Sequence, residues 1–252
     1  MTIFDALILG IIQGITEFLP ISSSGHLVLA QSILGINQQG NELEILVHIG
    51  TLASILVVFL KDIKSIFFSI KSKNTQIFIY FIIIGTIPAV ILGLGLKDFL
   101  LPLFENILAV GIALTSTGII LCGSYFIKKQ GKELSYLKSI IIGFAQAVAI
   151  IPGISRSGMT ITCALLLGLN SKDAAKFSFL LAIPAILGSG LFTFIDIDGD
   201  FHIKIEIALA GLISSFIVGM ASLRWLIHIL EKGKFYSFGL YCIFIGILTI
   251  IS

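Results

Sequence analysis

Charge is scarce in this chain. Asp, Glu, Lys and Arg make up 12% of its 252 residues, against about 25% in soluble domains, and 57% of the residues are hydrophobic. That leaves too little polar surface to coat a water-soluble globule. A mean hydropathy of +1.10 also excludes intrinsic disorder. Neither sign is in excess: 16 basic residues face 14 acidic ones, for a net charge of +2, which excludes the basic footprint that nucleic acid needs. Cysteine is nearly absent. Cys122, Cys163 and Cys242 each sit in an apolar run without metal-ligand spacing and read as small buried hydrophobes. No basic segment precedes the first apolar run, which carries Asp5, so a cleaved signal peptide is not expected. Long apolar runs, in contrast, are plentiful, and they make this a polytopic membrane protein.

A helix crosses the hydrocarbon with about 20 mostly apolar residues. Six runs qualify as spans: Ile45–Leu60, Ile77–Leu96, Ile107–Ile127, Phe177–Ile195, Ile207–Leu223 and Phe238–Ile251. Two further apolar regions, Ile3–Leu34 and Ser139–Leu169, are too long for one span and too short for two. Each is interrupted by small polar residues, Ser22-Ser23-Ser24-Gly25-His26 in the first and Pro152-Gly153-Ile154-Ser155-Arg156-Ser157-Gly158 in the second. Irregular backbone at membrane depth survives only where protein or a wet cavity satisfies it, so both regions read as re-entrant helical hairpins. Lys61, Lys64, Lys71 and Lys73, then Lys128, Lys129, Lys132 and Lys138, and later Lys172, Lys176, Lys232 and Lys234 mark cytoplasmic loops. The loops holding Asp98 and Glu105, and Asp196, Asp198, Asp200 and Glu206, fall outside. The six spans then alternate without conflict, and the hairpins enter from opposite sides, the first from outside.

The hairpins also match each other in sequence. Gly10-Ile11-Ile12-Gln13 pairs with Gly143-Phe144-Ala145-Gln146, and Ile21-Ser22-Ser23-Ser24-Gly25 with Ile154-Ser155-Arg156-Ser157-Gly158. Both pairings hold at an offset of 133 residues (143 minus 10, 154 minus 21). Three spans follow each hairpin, so the second copy is inverted. The expected fold is all-α: one membrane domain over residues 1–252, with six spanning helices and two opposed re-entrant hairpins in an inverted repeat. Repeat 1 covers about 1–127 and repeat 2 about 139–252, joined by a basic cytoplasmic loop at 128–138. Broken helices at such a repeat interface commonly build a site near the midplane.

Ionisable residues inside a membrane are costly and mark function; Glu17, His26 and Arg156 fall within the hairpins. Gln13 and Glu17, spaced i, i+4, share one helix face. A carboxylate and an amide oxygen suit a hard cation, Mg²⁺ or Ca²⁺, better than zinc. Ser22, Ser23 and Ser24 stand beside His26, which is the arrangement of a serine nucleophile and its base; they equally permit a tight turn. Arg156, between Ser155 and Ser157 and before Thr160, has the fork geometry for phosphate; a structural pairing with Glu17 is a compatible reading. His48, in the first span, either lines the site or bonds a neighbouring helix, and His202 and His228 read as solvated. Metal ligands, a nucleophile and an anion clamp are together the parts for phosphoryl transfer.

Gln13-Gly14-Ile15-Thr16-Glu17-Phe18-Leu19-Pro20-Ile21-Ser22-Ser23-Ser24-Gly25-His26 and Pro152-Gly153-Ile154-Ser155-Arg156-Ser157-Gly158-Met159-Thr160 resemble the two signature motifs of the bacitracin-resistance family of undecaprenyl-diphosphate phosphatases. The likeness extends to Leu46-Val47-His48-Ile49-Gly50-Thr51 and Phe177-Ser178-Phe179-Leu180-Leu181-Ala182-Ile183-Pro184. It implies a multi-pass hydrolase of the bacterial cytoplasmic (inner) membrane, its site opening to the outer face. Such an enzyme acts on a polyprenyl diphosphate lipid, returns the carrier to cell-wall synthesis and confers bacitracin resistance. By position, Gln13 and Glu17 would act at the metal–diphosphate, Ser23 would attack with His26 assisting, and Ser155, Arg156 and Thr160 would hold phosphate oxygens. A metal-activated water would need the same residues, and a homodimer is left open. A lipid flippase would share the architecture but needs no metal-paired carboxylate beside a Ser/His pair, and a structural scaffold would leave Glu17 and Arg156 without a reason to be there.

Overall fold

The computed structural model describes residues 1–36, 42–127, 131–196 and 203–251. Among them the chain forms helices and no strand: α1 (Ile3–Thr16), α2 (Ser23–Leu34), α3 (Glu42–Val58), α4 (Leu60–Phe68), α5 (Lys73–Gly95), α6 (Lys97–Glu105), α7 (Ile107–Gly123), α8 (Tyr136–Val148), α9 (Arg156–Leu166), α10 (Ser171–Asp196), α11 (Ile205–Glu231) and α12 (Ser237–Ile251). Short polar residues set where many of these helices begin. Thr2 and Asp5 form a capping box on α1, and Ser22, Ser72, Asn106, Ser135 and Ser155 each accept a first-turn amide of the helix they precede.

Among the described residues, four helices are long and apolar enough to cross a membrane, and a fifth span is added if α3 and α4, bent by 69° at Phe59, count as one. These correspond to five of the expected runs. The sixth, Phe238–Ile251, lies in α12, which has 15 residues and belongs with the shorter apolar helices. Both expected helix–break–helix units are present. Residues 17–22 separate α1 from α2, and residues 149–155 separate α8 from α9. The regions read as plain loops after the first and second spans instead carry α4 and α6, nine residues each. Of the charges used to orient the loops, Lys128, Lys129, Asp198 and Asp200 lie outside the described residues, as does His202; His228 is exposed on the last turn of α11.

Packing is apolar outside and small or polar at the seams, as expected where lipid is the solvent. Only 17% of the most apolar window of α5 is buried, and Ile83, Ile87, Val90, Ile91 and Leu94 face outward. Helices meet through glycine and serine instead. A Cβ on Gly118 of α7 would lie 2.6 Å from the Gly239 carbonyl oxygen of α12, and the converse distance is the same. Gly111 and Gly246 repeat that contact one heptad along the antiparallel pair. The hairpins pack across the chain: α1 lies along α11, and α8 lies along α5. Gly10 meets Gly211 in the first of these pairs and Gly143 meets Gly85 in the second. Ser139 of α8 also donates a hydrogen bond to the Phe81 carbonyl of α5.

Candidate active site

The two breaks touch. A Cβ on Gly25 would lie 3.2 Å from Gly153 Cα, one on Gly158 would lie 3.3 Å from Pro20 Cβ, and Ser157 donates to the Leu19 carbonyl at 3.3 Å. Each tip ends in a serine N-cap. Ser22 Oγ accepts from Gly25 N at 3.3 Å and lies 3.3 Å from Ser24 Oγ. Ser155 Oγ accepts from Gly158 N at 3.1 Å and lies 3.3 Å from Ser157 Oγ. The turns that allow this differ. Ser22 itself takes a positive φ of 68°, alone among the described non-glycine residues, whereas in the second break Gly153 takes φ 94°. Strain of that kind persists only where surroundings enforce it, and it clusters at functional sites. Thr117 of α7 helps enforce the second turn, donating to the Gly153 carbonyl and accepting from Ser155 N.

Glu17, 8% exposed at the end of α1, is where the parts converge. Its Oε1 pairs with Arg156 Nη2 at 2.5 Å. Its Oε2 accepts from Ser23 Oγ at 2.7 Å and from Gln13 Nε2 at 3.0 Å, and lies 3.9 Å from His48 Nε2. Ser23 and Arg156 are the first residues of α2 and α9. Two helix N-termini, with their positive dipole ends, thus frame one carboxylate, an arrangement that favours an anion.

Two buried atoms beside it lack a hydrogen-bond partner: Gln13 Oε1 and Arg156 Nη1. The acceptor suits a cation and the donor suits a phosphate oxygen. No group of three or more His, Cys, Asp or Glu side chains able to hold a metal exists among the described residues. One carboxylate and one amide oxygen fit a Mg²⁺-type ion, which keeps waters and binds substrate phosphates rather than a closed protein cage.

The other expected site residues sit less simply. His26 makes no hydrogen bond to Ser23; its Nδ1 lies 2.8 Å from the Ser22 carbonyl and its Nε2 lies 2.9 Å from the Tyr241 hydroxyl of α12. Ser23 is bonded to the carboxylate instead. Thr160 Oγ1 donates to the Arg156 carbonyl at 2.8 Å and lies 2.6 Å from Ser178 Oγ, so its hydroxyl braces α9 against α10. Ser155 caps α9. His48 does line the site, while its Nδ1 bonds the Glu44 carbonyl at 2.7 Å. Tyr241 and Thr117 were not expected, since both lie inside runs that read as plain membrane helix. Of the cysteines, Cys242 is buried and Cys122 and Cys163 are half-buried, all as free thiols.

Residues 6–248 match the family described as bacitracin resistance protein BacA. The undecaprenyl-diphosphatase of Halothermothrix orenii is 42% identical over an alignment of 256 residues, covering 100% of this chain and 98% of the relative. That of Methanosphaera stadtmanae is 41% identical over 275 residues, covering 100% and 98%. That of Bacteroides fragilis is 41% identical over 263 residues, covering 98% and 97%.

Proposed function

The chain belongs to the bacitracin resistance protein BacA family, and from that membership we propose a membrane phosphatase that cleaves undecaprenyl diphosphate into undecaprenyl phosphate and phosphate. This activity recycles the lipid carrier for peptidoglycan synthesis and confers resistance to bacitracin. The observation that carries the reading is a single buried carboxylate, Glu17, bonded to the first residues of two opposed helices, one offering a hydroxyl and the other a guanidinium.

The geometry supports a division of roles. Arg156 Nη1 takes an oxygen of the terminal phosphate while Nη2 stays on Glu17, and the amides at the starts of α2 and α9 face the remaining charge. Ser23 Oγ forms a bond to the terminal phosphorus as the bridging P–O bond breaks, and the hydroxyl proton passes along the existing hydrogen bond to Glu17 Oε2. Undecaprenyl phosphate leaves. Water then hydrolyses the phosphoserine, releasing phosphate, and the Glu17 proton returns to Ser23. His26, three residues on and so on the same face of α2, takes a proton from that water as it attacks and gives it up to the released phosphate. A water molecule attacking directly would call on the same side chains. Gln13, through its unpartnered Oε1, and the ionised Glu17 would hold a divalent cation, Mg²⁺ or Ca²⁺, which would supply Lewis-acid neutralisation of the diphosphate. Ser155 keeps α9 aimed at the phosphate, and Thr160 fixes the first turn behind Arg156.

In the membrane, six spans and two re-entrant hairpins form one inverted repeat in the bacterial inner membrane, the site opening to its outer face. The hairpin helices support this, having 14, 12, 13 and 11 residues, all shorter than the 15 of α12, and parted within each pair by an irregular break. The matched packing of α1 on α11 and α8 on α5 supports the repeat, and the basic loops support the orientation. Purified protein in detergent should release phosphate from undecaprenyl diphosphate, lose that activity in EDTA and regain it with added Mg²⁺. Undiminished release in EDTA would overturn the metal, and no release under any condition would overturn the enzyme.

A further inference from the structure

The last helix grips the first hairpin at two adjacent residues. Tyr241 places its hydroxyl 2.9 Å from His26 Nε2, with the two rings nearly parallel (12°) and their centroids 5.7 Å apart. The next residue, Cys242, is buried and donates its S–H to the Pro20 carbonyl at 3.6 Å, within the break itself. The partner of the other ring nitrogen fixes the proton positions. A carbonyl oxygen can only accept, so His26 Nδ1, 2.8 Å from the Ser22 carbonyl, must carry the hydrogen. In the neutral ring Nε2 is then the acceptor, and the Tyr241 hydroxyl donates to it.

We propose that Tyr241 is the positioning residue of His26: with the Nδ1–H form set by the Ser22 carbonyl, its hydroxyl and stacked ring hold the imidazole in one plane beside Ser23. This rests on the reading of His26 as the acid–base group of the phosphatase. Ser22, whose carbonyl anchors Nδ1, is also the residue held at positive φ, so one end of the imidazole hangs from a strained turn. Tyr241 is the side chain that fixes the other end. Without it the ring could turn about its side-chain torsions, and Nε2 would hold its place beside the hairpin tip in only a fraction of molecules. Loss of orientation of this kind lowers the rate of the chemical step more than it weakens binding.

The full chain, purified in detergent, provides the test, with Tyr241→Phe (ring kept, hydroxyl lost), Tyr241→Leu (both lost) and His26→Ala compared. With ¹⁵N-labelled histidine, the wild-type His26 signals should report one tautomer, with Nε2 as an unprotonated, hydrogen-bonded acceptor. In Tyr241→Phe, Nε2 should lose the hydrogen-bond shift while the Nδ1–H form, held by the Ser22 carbonyl, persists. With undecaprenyl diphosphate, kcat should fall about three- to tenfold in Tyr241→Phe, the scale of one lost hydrogen bond, and further in Tyr241→Leu. KM should change less than twofold, and Tyr241→Phe should add nothing to His26→Ala. Wild-type kcat and an unchanged Nε2 shift in Tyr241→Phe, beside an inactive His26→Ala, would overturn the proposal alone. Full activity in His26→Ala would overturn it together with the role given to His26.

Discussion

At the scale of single residues, the proposed chemistry turns on one carboxylate: Glu17 pairs with Arg156 and accepts from the Ser23 hydroxyl, and in the proposed mechanism it is a cation ligand as well. Glu17→Gln should therefore abolish phosphate release, since loss of the ligand and acceptor removes several kcal/mol of barrier stabilisation, roughly a thousandfold or more in rate. Helix content by circular dichroism should be kept, although Arg156 would be left buried without its counter-charge and the protein should melt at a lower temperature. A wild-type rate at saturating Mg²⁺ would make the carboxylate structural. Arg156→Lys separates charge from shape, because Lys keeps the charge but cannot bond Glu17 and a phosphate oxygen through a rigid fork. Breaking one partner of a buried charged contact costs about 2–5 kcal/mol, so kcat should fall about 30-fold or more, with KM less affected. A kcat within about threefold of wild type, small on that scale, would reduce Arg156 to a balance for Glu17. This pair was legible in the sequence because ionisable residues have few reasons to lie in apolar hairpins. The grip on His26 was not legible, since Tyr241 is 215 residues away along the chain and sits in a run with no other polar landmark nearby.

At the scale of elements, the tips depend on turns that few residues can make. Gly153 combines a φ of 94° with a place where a Cβ would lie 2.6 Å from the Val110 carbonyl oxygen. Gly35, closing α2 at φ 67°, has nothing within 4 Å of such a Cβ. Alanine at Gly35 should cost only the left-handed backbone penalty of about 1–2 kcal/mol. Alanine at Gly153 must also push α7 away from the Arg156 turn, so Gly153→Ala should melt lower than Gly35→Ala and lose phosphatase activity. Equal melting temperatures for the two variants would show that α7 yields easily. The breaks between α1 and α2 and between α8 and α9 could be read from the recurring Gly-Ser pattern, whereas α8 starts at Tyr136, inside the segment 128–138 read as a loop. The helices α4 and α6 could not be read, because a nine-residue segment of mixed charge and apolar residues looks the same in sequence whether it lies as a helix or crosses as a loop. The end of α11 was also hidden. It runs on through Arg224, His228 and Glu231, where the apolar run stops but helix hydrogen bonding does not.

At the scale of the whole molecule, the topology is open to chemical labelling. Single cysteines placed at 61–76, 128–138 or 196–206, in a background without Cys122, Cys163 and Cys242, should react with an impermeant thiol reagent on intact cells only in the last segment. Labelling of all three would sink the orientation and the inverted repeat. The packing of α1 against α11 and of α8 against α5 also bears on how the chain could be divided. Each half carries one hairpin and the helix that shelters the other half's hairpin, and Glu17 and Arg156 fall on opposite sides of residues 128–130. Severed there, the molecule becomes a split enzyme. Either fragment made alone should be inactive and short-lived in the membrane, its glycine-lined groove left open. The two made together should find each other, co-purify through a tag on one, and recover phosphate release. Activity in one fragment alone would mean that the site does not straddle the cut. Recovery by complementation would make the bond between the halves one of fit, with the peptide link between them dispensable.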